Sequence, residues 1–181
     1  MCSSLRLAFA CLSLWMLAAS VSPLVAQTKS GEALVTSGHF KLTLAGAEKI
    51  LAAAKVKAEE LKLKVNIAVA DDGGHLIAFN RMDGARPASL YTAITKATAS
   101  ATLRAPTGPL PPGVKELDVW LNLSVQIAAG QSGGKFTTLK GGVPVIVDGQ
   151  VIGAVGVGGG TGEHDAEIAT AGIEALLKEL K

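Results

Sequence analysis

Apolar residues recur every three or four positions over 42–64, where Leu44, Ala47, Ile50, Leu51, Ala54, Ala58 and Leu61 share one face. Lysines and glutamates fill the opposite face. That period predicts an amphipathic helix, with Thr43 placed to cap it. The period then changes to two. Val65, Ile67 and Val69 alternate, Asp71, Asp72, Gly73 and Gly74 supply turn chemistry, and 76–79 returns, which predicts a β-hairpin over 65–81. A loop follows through Pro87. Residues 88–103 read as a helix of small residues, among them Ser89, Ala93, Ala97, Ala99, Ser100 and Ala101. Such a helix lets another backbone or a flat ligand come close.

Residues 105–113 hold four prolines and two glycines and predict a loop or lid. A shorter helix is expected over 117–129, with Trp120, Leu121 and Ile127 turned inward. A short strand is expected over 136–139. Residues 143–147 and 150–157 predict a second hairpin about Asp148 and Gly149, a type I′ signature. After Gly158, Gly159 and Gly160, Thr161 caps a last helix over 162–181, with Ile168, Ala171, Ile173, Leu176 and Leu177 inward. The order is α-β-β-α-α-β-β-β-α. It predicts an α+β fold with a five-stranded antiparallel sheet flanked by helices.

The first 26 residues follow a different pattern. Arg6 is their one charge, an apolar run spans 7–17, and small residues lead to Ala26. This predicts a secretory signal peptide cleaved after Ala26, with Ser20 as the alternative site. The apolar run is too short for a stable membrane anchor, which needs roughly 20 residues. The expected organisation is a signal over 1–26, a flexible lead-in over 27–41 and one domain over 42–181. The expected location is periplasmic or secreted. Both cysteines, Cys2 and Cys11, fall in the signal, so thiol nucleophiles and cysteine-held metals are excluded from the mature chain.

Composition narrows the chemistry. Of 181 residues, 49% are hydrophobic and 18% charged, with net charge +2, which excludes intrinsic disorder. The 17 basic residues are interleaved with 15 acidic ones, and aromatics make up only 4%, so nucleic acid is not an expected partner. The glycines Gly158, Gly159 and Gly160 lie between a strand and a helix. They permit either tight packing or the approach of a ligand to backbone amides. Neither a dinucleotide fingerprint nor a P-loop is present.

His39, His75 and His164 are not spaced as a self-contained metal site. His164 stands beside Asp165, and this pair is the candidate for general acid–base work. His164, His75 and Met82 are the candidate haem-iron ligands. Arg81 and Lys96 are the candidate carboxylate clamps. No nucleophile elbow or Ser/His/Asp set is legible.

The segments 81–85, 96–99, 141–145 and 148–157, in this order, resemble the GlcG/HbpS haem-binding family, as does 163–172. The resemblance extends over about 42–180. The C-terminal domain of PduO-type corrinoid adenosyltransferases is similar. The resemblance implies a compact α+β domain assembled into homo-oligomers, with haem as ligand and a corrinoid as the alternative. Relatives commonly have serine at one of 158–160, proline at Gly162 and glutamine at His164. Three readings follow: an exported haem-binding protein for scavenging, buffering or sensing; a periplasmic enzyme or accessory protein for a small carboxylate such as a hydroxy acid; and an oligomeric structural module. In the first, Arg81, Lys96, Gly158, Gly159, Gly160 and His164 are the expected contacts; in the second, Arg81 and Lys96 hold the carboxylate and His164 with Asp165 moves a proton.

Overall fold

Local chemistry sets most of the element ends. A computed structural model of the chain describes residues 38–110 and 115–180. The signal segment 1–26 and residues 27–37 of the lead-in lie outside them. Helix α1 (Leu44–Glu60) begins where Thr43 Oγ1 accepts the Gly46 amide at 3.2 Å. It ends before the expected 64, because Lys62 takes a left-handed φ of 57°. Strands β1 (Asn66–Asp71) and β2 (Leu76–Arg81) form the first hairpin. At its turn the Asp71 carboxylate accepts the amides of Gly73 and His75 at 2.9 and 2.8 Å.

Helix α2 (Ser89–Leu103) follows, then α3 (Val119–Gln131), capped by Asp118. Strands β3 (Gly142–Val147) and β4 (Gln150–Gly158) form the second hairpin. Asp148 and Gly149 there have φ of 46° and 76°, as a type I′ turn requires. Helix α4 (Gly162–Glu179) begins at Thr161, whose Oγ1 accepts the His164 amide at 3.2 Å.

The fold is α+β, and the sheet has four strands, not five, in the order β2-β1-β4-β3 with every pair antiparallel. Residues 136–139 join no ladder. Gln126 Nε2 of α3 donates to Thr138 Oγ1 at 2.7 Å and ties this segment to the helix. β3 ends the sheet, and its Pro144 has no N–H to offer a further strand.

The sheet is covered on both faces. Ile67 and Val69 of β1 and Val155 and Val157 of β4 point to one side. There they pack with Ile50, Ala54, Ile168 and Ile173 of α1 and α4 in the main core. Each large aliphatic side chain buried there stabilises by about 1.5–3 kcal/mol. Gly172 allows α1 and α4 to cross closely, since a side-chain carbon there would lie 2.8 Å from the Ile50 carbonyl oxygen.

The other face is built of Ala68, Ala70, Gly156 and Gly158, against Ala93 and Ala97 of α2. A side-chain carbon at Gly156 would overlap the Ala93 carbonyl and the Ala97 amide. One at Gly158 would lie 2.6 Å from the Ser89 carbonyl oxygen. The small residues of α2 thus serve helix-on-sheet packing and leave no slot for a flat ligand.

Helix α3 departs from expectation. Trp120, Leu121 and Ile127 are exposed, Trp120 by 78%, and only Ala129 is buried. The helix carries no charged residue and has apolar residues spread all round it among Asn122, Ser124, Gln126 and Gln131, so periodicity could not assign it an inner face. No helix among the described residues is long and apolar enough to cross a membrane.

Two predictions follow from this packing. Gly156→Ala should destabilise the fold by about 3 kcal/mol in urea unfolding, because backbone cannot yield as a side chain does. Gly130→Ala, at a helical site with open space around it, should instead be neutral or stabilising by up to about 1 kcal/mol. The second prediction concerns Lys57 of α1 and Glu167 of α4, paired at 2.8 Å. Their hydrogen bond raises the Lys57 pKa and lowers that of Glu167. A lowered carboxyl pKa stabilises above the unfolded value of 4.5 and is lost as pH falls through the folded one. A raised ammonium pKa stabilises below 10.5 and is lost as pH rises through the folded one. The difference in urea midpoint between the natural chain and Glu167→Gln should therefore be constant through neutral pH and shrink at both extremes.

Candidate functional site

The strongest polar contact in the interior joins α2 to α4. Lys96 and Asp165 are only 4% and 2% exposed. Lys96 Nζ donates to Asp165 Oδ2 at 2.7 Å and to the Val157 carbonyl oxygen at 2.8 Å. Asp165 Oδ1 accepts the Gly160 amide at 2.9 Å. The glycine turn, the end of β4, the first turn of α4 and the middle of α2 are thereby fixed to one another. Gly141 makes room for the pair, since a side-chain carbon there would lie 2.6 Å from Asp165 Cβ and 2.9 Å from Lys96 Nζ. Its φ of 123° also favours glycine.

Beside this pair opens a cleft of about 760 Å³. That is within the roughly 300–1,000 Å³ usual for small-molecule sites. Gly159, Gly160 and the start of α4 line one side, and the loop 106–110 another. Leu139, Lys140 and Arg86 complete the rim. A smaller apolar pocket of about 300 Å³ shares the wall formed by 106–109 and Thr138, and runs on to Leu121 and Val125 of α3. The cleft thus has a charged end near α2 and α4 and an apolar end near α3.

The charges at the charged end are matched except one. Asp165 is matched by Lys96. Glu163 is matched by Lys140 at 3.4 Å. The Glu163 carboxyl is held below the ordinary carboxylate range, first by its own backbone amide and then by Lys140. Arg86 makes no ion pair among the described residues. Its Nε donates to Ser89 Oγ at 2.9 Å, which orients the guanidinium. Its carbonyl accepts from Asn66 Nδ2 at 3.1 Å, which fixes the backbone. Asn66 is fully buried, and its Oδ1 meets no donor among the described residues.

The residues named from sequence are partly brought together. Lys96, Asp165, Gly159 and Gly160 line the cleft. Gly158 sits under the first turn of α2 and serves packing. Arg81 lies on edge strand β2 and lines a separate small polar pocket with Lys55 and Glu59. Met82 is buried in the main core. His75 is exposed at the hairpin turn, 3.3 Å from Asp71. His164 is exposed on α4, and Asp165 gives its oxygens to Lys96 and Gly160, so the two do not form a proton-transfer pair.

Sequence reading missed Arg86. The available signal was local: an arginine before Pro87, one turn ahead of the Ser89 that opens α2.

Lys96→Met should cost about 3–5 kcal/mol in chemical unfolding, because Asp165 would stay buried without its cation. The double variant Lys96→Met/Asp165→Leu should lose less than the two single variants summed. The non-additivity is expected at up to about 3 kcal/mol.

Known proteins share this architecture. The family described as haem degrading protein HbpS-like matches residues 42–174. The Escherichia coli K12 protein GlcG is 42% identical over 111 residues, which span 61% of this chain and 76% of that protein. The structure of a double mutant of Streptomyces reticuli HbpS aligns with TM-score 0.64 at 29% identity, over 83% of this chain and 97% of that one. PduOC, solved as a complex with haem, aligns with TM-score 0.63 at 26% identity, over 75% of this chain and 95% of that one. The match over residues 42–174, well over half of the sequence, places this chain in the HbpS-like family.

Proposed function

We propose that this chain binds haem in the cleft beside the Lys96–Asp165 pair. One observation carries the reading: the cleft joins a cationic end at Arg86 to an apolar end formed by Pro106, Pro109, Leu110 and Leu139. Haem has the matching form, a flat apolar body with carboxylates at one edge. PduOC, which shares the fold, was solved with haem bound. Arg86 would hold a propionate through its fork, with Lys140 also on the rim. Bound haem would supply the redox chemistry of its iron, and the chain's part is to hold the group and exclude water.

A small carboxylate such as a hydroxy acid is the second reading. It is favoured by Arg86, the cation of the cleft that no acid matches among the described residues.

We also propose that the protein acts outside the cytoplasm, for scavenging, buffering or sensing, after cleavage of 1–26. The charge-poor N-terminal sequence supports this. Assembly into homo-oligomers is supported by α3, whose apolar surface calls for cover.

A hemin titration should give a saturable Soret band. Leu139→Glu places a charge on the apolar wall at an exposed site, and should weaken binding about tenfold with no loss of stability. An unsaturable signal, or identical affinity in Leu139→Glu, counts against this cleft. A small carboxylate that displaces nothing and binds alone would favour the second reading. Native mass spectrometry of the chain expressed in an exporting host should find a subunit beginning at Gln27 and more than one subunit per particle. A monomer, or an intact N-terminus, would contradict the respective proposal.

A further inference from the structure

We infer that α3 is an interface helix whose partner is the α3 of a second copy of this chain, docked antiparallel. This rests on the homo-oligomer reading above and names the surface, the partner and the register.

Helix α3 is held to its own subunit along one face. Asn122 Nδ2 donates to the Pro109 carbonyl oxygen at 2.9 Å, Gln126 Nε2 donates to Thr138 Oγ1, and Ala129 is buried. These three residues lie above one another at helical spacing. The outward face carries Trp120, Leu123, Ile127 and Gly130, spaced three, four and three apart. That is the spacing of a seam between paired helices. Trp120, Leu123 and Ile127 are 78%, 50% and 63% exposed. A side-chain carbon at Gly130 would meet nothing within 4 Å.

The seam is complementary to itself in one orientation. Docked antiparallel about a two-fold axis, Trp120 faces Gly130 of the second copy and Leu123 faces its Ile127, and each pair occurs twice. The largest side chain meets the smallest. Docked parallel, Trp120 would meet Trp120 and Gly130 would meet Gly130, which splays one end and leaves the other empty. Charge agrees with the antiparallel arrangement. Residues 115–118 hold one cation, Lys115, and two anions, Glu116 and Asp118, while residues 132–135 hold one cation, Lys135. Antiparallel docking sets the acidic end of one helix by the basic end of the other and opposes their dipoles. α3 itself has no charge to repel its copy.

A lipid surface fits less well. Helices that lie on membranes carry lysine and arginine on their polar face. The polar face of α3 has Asn122 and Gln126, and both are spent on its own subunit. The 13 residues of α3 span about 20 Å. This contact is therefore smaller than the roughly 800 Å² per partner of a standard interface, and it should dissociate on dilution.

The test is sedimentation of the protein from an exporting host over a dilution series. The particle should hold an even number of subunits, because a two-fold contact joins them in pairs. Trp120→Ala and Gly130→Trp should each raise the dissociation constant of the contact at least about tenfold. The double variant Trp120→Ala/Gly130→Trp should return to within about threefold of the natural chain, because bulk and gap have only changed places. Circular dichroism should report an unchanged fold in all three, since both positions are exposed. The tryptophans are Trp15 and Trp120, so once 1–26 is cleaved the emission reports α3 alone, and it should shift to the red as the particle dissociates.

An assembly that neither single variant weakens would overturn the inference, as would a double variant no tighter than the weaker single one, or an odd number of subunits. Sedimentation with phosphatidylglycerol/phosphatidylcholine vesicles that Trp120→Ala abolishes would make lipid the occupant instead. A chain that assembles in spite of these results keeps the homo-oligomer reading. A monomer at every concentration removes that reading and this inference together.

Discussion

The Lys96–Asp165 contact is the constraint on which the rest of the structure turns. Two opposite charges lie almost wholly out of water, and each is hydrogen-bonded to backbone as well as to its partner. A buried pair of this kind contributes less to net stability than its Coulomb energy implies, because both ions lose their hydration. Its effect is specificity of arrangement. α2 covers one face of the sheet and α4 the other. A side chain from the middle of α2 reaches the first turn of α4, and that reach fixes the mutual position of the two layers. Gly141 has to be glycine so that the carboxylate and the ammonium can meet, and Gly160 contributes its backbone amide to the carboxylate.

The cleft is a consequence of that arrangement. Its floor is the glycine turn that Asp165 pins through the Gly160 amide. Its charged residues are matched within the protein, save Arg86. A ligand therefore meets a surface of low net charge with a single directional donor, next to an apolar wall. This geometry suits an amphiphilic planar molecule better than a small, strongly hydrated anion, which would have to give up its water for one guanidinium.

What was legible in the sequence was whatever short-range chemistry decides. Thr43 and Thr161 cap their helices, Asp148 and Gly149 turn a hairpin, and the apolar stripes of α1 and α4 face the core as their spacing required. The family followed from the order of several short motifs. Long-range pairing was not legible. Lys96 and Asp165 were each picked out as candidates, but not as partners, because 69 residues separate them and neither flanking pattern refers to the other. Arg86 looked like one loop residue among six. The segment 136–139 has strand-like residues, yet Thr138 is tied to α3 by Gln126 and the Leu139 amide donates to Thr137 Oγ1 within the segment. A helix such as α3, uncharged and with apolar residues on every side, has no inner face until its neighbours are known.

The seam between α2 and the sheet is made almost entirely of alanine and glycine. Such residues have no rotamers, so they lose no side-chain freedom on folding and have none to draw upon afterwards. A layer without χ angles cannot reshape itself by rotamer exchange when something docks against it. Whatever accommodation a ligand requires in this cleft must come from side chains outside that seam, such as Arg86, Leu110, Leu139 and Lys140, which have several torsions each. The seam fixes the position of α2, and the side chains at its margin are left to conform.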